Sequence, residues 1–165
     1  MMYPDLITLD AHNGDTTSFL NAVYDAYLTY LVRGRLTFLG TPIGFKFAPA
    51  TDGRGFAFWH AVQERGETGA EDDRRIDLRR CERIGWPAFL LQNVTPAGRA
   101  GRVLWWKNRR GTATRVVIWL VEADYALILD ERRHHHMFWT TYMVRSGRKK
   151  AFEKEHADYW ARQVA

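Results

Sequence analysis

The chain has little cysteine and no long apolar segment. Cys81 is the one cysteine among 165 residues, which excludes an internal disulfide framework and a cysteine-rich zinc site. The longest apolar runs, such as residues 116–121, are too short to span a bilayer, and no signal peptide is recognised. We therefore expect a cytoplasmic protein with no membrane partner.

The sequence also lacks the motifs of the common cofactor-dependent enzymes. It contains no P-loop, dinucleotide-binding glycine motif, nucleophile elbow, zinc-protease motif or cluster of carboxylates. Phosphotransfer from a nucleotide, hydride transfer and two-metal hydrolysis therefore have no support, and we expect neither cofactor nor metal. His134, His135 and His136 suit a metal poorly, because consecutive strand residues alternate faces and no further ligand is spaced to complete a site.

Aromatic and basic residues are plentiful instead. Seven Trp, seven Tyr and nine Phe accompany a formal net charge of +5, and arginine supplies most of the basic excess. The planar guanidinium group of arginine binds phosphate or carboxylate through paired hydrogen bonds. This composition favours a polyanionic partner such as nucleic acid, although many basic proteins bind none.

The order of apolar patterns predicts an α+β fold in one domain spanning residues 1–165. It comprises an N-terminal helix, a mostly antiparallel twisted β-sheet and a C-terminal closing helix. The predicted segments are an irregular lead-in at 1–15, a helix at 16–33 capped by Asp15 or Thr16, a sheet region at 36–145 with a basic helix inserted near 74–84, and the closing helix at 148–163. Residues 56–60 are predicted to be extended.

The strand predicted at 137–144 carries two hydroxyl groups of interest. Alternation of side chains groups its residues into two faces: Phe138, Thr140 and Tyr142 on one, and Met137, Trp139, Thr141 and Met143 on the other. We expect Trp139 and Thr141 to point under the closing helix. Thr140 and Tyr142 are then expected on the open face, with Arg132 near the hairpin end.

His60 is a candidate for proton exchange. It follows an aromatic segment and precedes an acidic, glycine-containing loop, and histidine is the side chain best suited to exchange protons near neutral pH. The alternative is a half-buried structural histidine that bonds a backbone carbonyl.

Basic residues in two segments are candidates for binding substrate. Lys107 and Arg109 alternate with Trp106 on a predicted strand, a pattern that suits single-stranded nucleic acid because bases stack and phosphates are neutralised. The alternative is an edge strand protected by charge. Arg79 and Arg83 in the basic helix are further candidates, and ion pairing on a solvated helix is the alternative there.

Several short motifs occur in an order that resembles a known superfamily. They are FWH at 58–60, RRIDLRRCERIGW at 74–86, WKNRR at 106–110, YALILDERR at 125–133 and WTTYMV at 139–144, followed by a basic helix. Together they resemble the phage- and plasmid-associated members of the BECR superfamily, named for barnase, EndoU, colicin-type and RelE-type nucleases, over residues 56–160. The resemblance implies a helix-plus-sheet fold and metal-independent RNA cleavage by a toxin or mobile-element (phage or plasmid) protein. A cognate antitoxin or immunity protein is then a further expected partner.

The resemblance implies His60, Arg132, Thr140 and Tyr142 as catalytic candidates. The leading hypothesis is an endoribonuclease in which the ribose 2′-hydroxyl attacks the adjacent phosphorus and leaves a 2′,3′-cyclic phosphate. In this hypothesis His60 exchanges a proton, Arg132 and Arg109 hold the phosphate, and Tyr142 with Thr140 positions it or shares in proton transfer. The alternative is a non-catalytic module that binds RNA or protein. Convergence of His60, Arg132 and Tyr142 on one cleft would favour the enzyme, and their separation would favour the binding module.

Overall fold

The computed structural model describes residues 3–163 and confirms the α+β architecture. The first helix, α1 (Thr16–Ala26), continues as a π-helical segment over Tyr27–Val32 and matches the predicted helix. Asp15 caps it, since its carboxylate accepts the backbone N–H groups of Thr17 and Ser18 at 3.0 and 3.2 Å. The apolar stripe of α1 is buried in the main core.

Six strands form the main sheet, and a hairpin of two short strands lies apart from it. The main sheet has the order β1-β2-β8-β7-β6-β5, in which only the β2–β8 pair is parallel. The strands are β1 (Thr37–Phe38), β2 (Thr41–Gly44), β5 (Val103–Arg110), β6 (Ala113–Leu120), β7 (Tyr125–Glu131) and β8 (His136–Met143), and the separate hairpin pairs β3 (Gln63–Glu64) with β4 (Arg75–Ile76). The long hairpin strands therefore lie where the sequence predicted them.

The segment predicted to be extended at 56–60 is helical instead. It belongs to α2 (Phe56–Val62), whose Ala57, Phe58, Ala61 and Val62 are buried. Spacings of one, three and four residues are those of a helix face, and a five-residue aromatic run alone does not separate helix from strand. The prediction was wrong for this reason.

The basic segment near 74–84 contains only one short helix. Its first residues enter β4, and Asp77 then caps α3 (Leu78–Glu82) by accepting the N–H groups of Arg79 and Arg80. A further helix, α4 (Trp86–Asn93), follows. These elements and α1 pack on one face of the sheet and enclose the main core.

The closing helix, α5 (Ser146–Gln163), covers part of the opposite face. Phe152 is the buried residue of this helix, and its ring packs 5.0 Å from Trp106 and 5.6 Å from Trp119. The adjacent sheet residues Arg115, Trp139, Thr140 and Tyr142 are only partly buried and line a cleft beside the helix. Within residues 3–163, no helix combines the length and apolar character needed to cross a membrane.

A β-bulge in β8 changes which side chains share a face. Ile128 pairs with Thr140 but Leu129 pairs with Phe138, so Trp139 is an extra residue in the ladder. Phe138 and Thr141 consequently face the main core, where the Thr141 hydroxyl donates to the Ala61 carbonyl at 3.3 Å.

The bulge turns Trp139 and Thr140 toward the same side as Tyr142, the side that α5 partly covers. The predicted assignment of faces was therefore wrong: Phe138 and Thr141 face the main core, and Thr140 and Tyr142 lie on the α5 side of the sheet rather than opposite it. Strict alternation fails because the inserted residue reverses it at one point.

Candidate functional site

A concave site opens beside α5, on the face of the sheet opposite the main core. It has a volume of about 400 Å³. We call it the arginine cleft, and its lining comprises Arg65, Asn108, Arg110, Arg115, Val117, Ile128, Trp139, Thr140, Tyr142, Arg148 and Phe152. Alternation along β5 directs Asn108 and Arg110 into it, while α5 supplies Arg148 and the loop after β3 supplies Arg65.

Three arginines of this cleft have no carboxylate partner within the described part of the chain. Among residues 3–163, no carboxylate oxygen lies within 4.0 Å of the guanidinium nitrogens of Arg65, Arg110 or Arg148. All three side chains are exposed. Three uncompensated cations around one concave surface create a local positive potential that attracts anions.

The fourth arginine of the cleft is held in place by a buried carboxylate. Arg115 donates from Nε to Asp130 Oδ1 at 3.2 Å, and its guanidinium carbon lies 4.3 Å from the ring centre of Trp139. Asp130 is 5 % exposed, and its other oxygen pairs with Arg132 at 2.7 Å. Arg115 is therefore oriented from two sides, whereas Arg132 lies at the hairpin end.

Tyr142 and Thr140 contribute the hydroxyl groups of the cleft. Burial raises the pKa of Tyr142 above its ordinary value of 10.0, although Arg148 opposes the shift, so the phenol is protonated near neutral pH. The Thr140 hydroxyl donates to the backbone carbonyl of His60 at 2.8 Å and accepts from Arg80 Nη1 at 3.4 Å. Within the described residues, no carboxylate or imidazole lines this cleft.

His60 lies in a different cleft. This second cleft has a volume of about 650 Å³, and we call it the His60 cleft. It is lined by α1, α2, the hairpin of β3 and β4, and the loops at 49–52 and 71–74. The imidazole is 5 % exposed, stacks 4.1 Å from Phe56, and places Nε2 at 3.1 and 3.0 Å from the two carboxylate oxygens of Glu71. Burial and the nearby Arg74 lower the pKa of His60, and Glu71 opposes them.

The three residues expected to converge are thus separated. His60 lines its own cleft, Tyr142 lines the arginine cleft, and Arg132 pairs with Asp130 at the hairpin end. The Trp139 ring lies near the boundary, 5.5 Å from the ring of His60. Of the catalytic candidates, the structure brings only Thr140 and Tyr142 together in one cleft.

The basic candidates of β5 point away from the arginine cleft. Lys107 pairs with Val116 of the main core, and Arg109 follows it on the same face, so both oppose Asn108 and Arg110. The Lys107 ammonium is already paired with Glu131 at 2.5 Å. Trp106 is 0 % exposed and belongs to the cluster beneath α5, so its predicted stacking on a base is wrong.

The two candidates from the basic segment also lie apart. Arg79 is exposed beside a smaller cleft that adjoins the arginine cleft. Arg83 pairs with Glu82 at 3.4 Å and lies 5.1 Å from the ring centre of Trp86, on another surface that also contains Tyr3. Arg83 therefore lines a different cleft from Arg79, although its Nη1 donates to the Arg79 carbonyl at 3.2 Å.

Four arginines of the cleft were missed at the sequence level. Arg110 stands in the WKNRR motif, and alternation from Asn108 would have found it once the correct face was known. Arg115 lies opposite Asn108 in the β5–β6 hairpin. Arg65 and Arg148 come from a loop and a helix, and no local signal predicts that tertiary folding brings them together.

Among residues 3–163, no group of three or more His, Cys, Asp or Glu side chains is placed to hold a metal ion. Comparisons of the chain with protein-family models, with curated proteins and with solved structures found no match.

Proposed function

We propose that the protein binds single-stranded RNA by holding its phosphates in the arginine cleft. The observation that carries the proposal is the set of three exposed guanidinium groups, Arg65, Arg110 and Arg148, which have no carboxylate partner within the described residues. Arginine binds phosphate through paired, charge-assisted hydrogen bonds, and phosphate contacts supply most of the affinity for nucleic acids.

The adjoining basic surface supports a polymer rather than a small anion. A neighbouring cleft of about 360 Å³ shares Arg65, Tyr142 and Arg148 with the arginine cleft. It adds Arg80 and Arg145, which pair with Asp77 and Glu64 of the same cleft, and Arg79, which has no carboxylate within 4.0 Å among the described residues. Through Arg79, unpaired positive charge continues past the space that one phosphate would fill. The order of motifs that resembles RNA-cleaving proteins favours RNA among the polyanions, and membership of that superfamily stays a prediction.

The aromatic rings of the cleft support recognition of the backbone rather than the bases. Arg115 covers the Trp139 ring at 4.3 Å, and Arg80 lies 6.0 Å from the ring centre of Tyr142. Base stacking needs an open ring face. We therefore expect binding that depends little on RNA sequence.

The salt dependence of binding tests this proposal. Each phosphate neutralised on a single strand contributes about −0.7 to the slope of log affinity against log salt, so three contacts give roughly −2. Fluorescence anisotropy with a labelled, unstructured RNA measures this slope. A slope near zero, or no binding at low salt, would remove RNA as the partner.

A second function, metal-independent RNA cleavage in the same cleft, is favoured by the position of Tyr142 beside Arg148. In this reaction the 2′-oxygen bonds to phosphorus, the 5′-oxygen leaves, and the protonated phenol of Tyr142 supplies the proton that this oxygen takes up. The arginines would stabilise the charge on the phosphorane. The 2′-hydroxyl proton would pass to solvent, because no imidazole or carboxylate lines the cleft in the described chain. The lack of such an acceptor is why binding is the leading proposal.

Incubation of the purified protein with RNA in EDTA distinguishes the two functions. Cleavage predicts fragments with 2′,3′-cyclic phosphate ends, intact DNA, and a rate that falls about 10² to 10⁴-fold in Tyr142→Phe with RNA affinity unchanged. RNA that is bound but never cut would leave binding as the function.

A further inference from the structure

One loop contacts both clefts. Residues 65–74 connect β3 to β4, and they begin with Arg65, which lines the arginine cleft. Six residues later, Glu71 lines the His60 cleft and accepts a hydrogen bond from the buried imidazole. The loop therefore links a residue of the proposed RNA site to a histidine outside that site.

The position of Arg65 depends on the conformation of this loop. Gly69 has a φ of +76°, and a Cβ there would lie 2.5 Å from Arg65 Nη2, so the guanidinium packs directly over the glycine. Within the loop, the Thr68 N–H and hydroxyl donate to Asp73 Oδ2 at 2.8 and 3.0 Å. A change in the loop backbone would therefore move the guanidinium of Arg65.

The loop has few attachments to the body of the protein. Its base is the two-residue pairing of β3 with β4, supported by Arg74 Nη2, which donates to the Gln63 carbonyl at 2.7 Å. Within the described residues, the His60–Glu71 pair is the one hydrogen-bonded contact between residues 66–73 and a part of the chain outside the loop. Nε2 must be the donor, because an ionised carboxylate only accepts.

We propose that His60 is a positioning residue for RNA binding: its Nε2–H holds Glu71, which holds the loop and thereby keeps Arg65 in the arginine cleft. The proposal rests on the proposed RNA-binding function and gives His60 a role that needs no contact with RNA. His60 is suited to this role because α2 and the stack on Phe56 fix its ring.

Matched variants separate this role from proton exchange. His60→Gln keeps an N–H donor that can reach Glu71, whereas His60→Ala and Glu71→Ala remove the contact. We expect His60→Ala and Glu71→Ala to weaken RNA binding as much as Arg65→Ala, roughly fivefold for one exposed phosphate contact. His60→Gln should stay within about twofold of the parent protein, since its amide restores the donor.

A double-mutant cycle tests whether the effect passes through Arg65. In an Arg65→Ala background, Glu71→Ala should cause no further loss of affinity, because the residue that the contact positions is gone. Glu71 has a side chain 65 % exposed, so its variant keeps the fold even if His60→Ala does not. Additive losses, or a His60→Gln variant as weak as His60→Ala, would overturn the proposal.

Hydrogen exchange of the loop provides a readout that does not depend on RNA. The amides of Thr68 and Ala70 bond within the loop, and we expect them to exchange faster in Glu71→Ala than in the parent protein. If the parent protein does not bind RNA, the proposed function is refuted. Hydrogen exchange still tests whether the His60–Glu71 contact holds the loop in place. Unchanged exchange would overturn the positioning role.

Discussion

Two neighbouring arginines on β5 offer a matched test of which face of the sheet binds RNA. Arg109 and Arg110 are both exposed, and neither has a carboxylate partner among residues 3–163. Arg110 lines the arginine cleft, whereas Arg109 faces the other side and donates to the Thr114 hydroxyl at 3.4 Å. Replacing either by alanine removes one positive charge from the same strand, so the two variants share the same net charge.

The expected difference follows from the contact that each arginine can make. An exposed guanidinium–phosphate contact is worth about 1 kcal/mol, so Arg110→Ala should weaken binding roughly fivefold. The slope of log affinity against log salt should become shallower by about 0.7, the value for one phosphate on a single strand. Arg109→Ala should change affinity by less than about twofold, since only the long-range field is altered.

Fluorescence anisotropy with one labelled RNA at several salt concentrations measures both quantities. Urea denaturation of each variant provides the control for folding, and a surface substitution should keep stability within about 0.5 kcal/mol. Equal losses in the two variants would mean that binding follows net charge. A larger loss in Arg109→Ala would place the RNA on the face first expected from the sequence, and the assignment of the cleft would be refuted.

Two further predictions concern stability. Phe152 is 1 % exposed and anchors α5, so Phe152→Ala should lower the free energy of unfolding, measured in urea, by about 3 kcal/mol. Glu153→Ala, at an exposed position of the same helix, is the control. A loss below about 1 kcal/mol in Phe152→Ala would contradict the anchoring role. Burial lowers the pKa of both His60 and His136 from the ordinary value of 6.5, so the unfolded chain takes up protons first as pH falls. The stability that these two neutral histidines contribute should be fully present above about pH 6.5 and should decline below it. In urea denaturation, the free energy of unfolding of His60→Gln should therefore fall less between about pH 7 and pH 5 than that of the parent protein. An identical pH dependence in that variant would show that His60 does not contribute.

The sequence predicted the elements whose patterns are long and regular. The apolar stripe of α1, the strands of the two long hairpins and α5 each repeat over enough residues for helix and strand periods to differ. The segment of α2 is too short for this, and its aromatic residues suit either period. The bulge at Trp139 gives no local signal, because it arises from how β8 pairs with β7.

The candidate site was only partly predictable, because it depends on how strands pair and on which distant segments meet in the folded chain. The prediction that Thr140 and Tyr142 share one face of β8 is confirmed, since both residues lie beyond the bulge, where side chains alternate normally. The preference for Lys107 and Arg109 depended on choosing a face of β5, and the sequence does not say which face the helices cover. Arg65 and Arg148 are distant in sequence and meet only in the folded chain.

The central claim is that uncompensated arginines of one cleft hold RNA. It is tested most directly by the triple variant Arg65→Ala, Arg110→Ala, Arg148→Ala, compared with a control of equal charge in which the exposed Arg33, Arg99 and Arg109 are replaced by alanine. We expect the cleft variant to lose about two units of salt slope and roughly a hundredfold in affinity, while the control retains nearly all of its binding. RNA affinities that fall equally in the two triple variants would contradict the account.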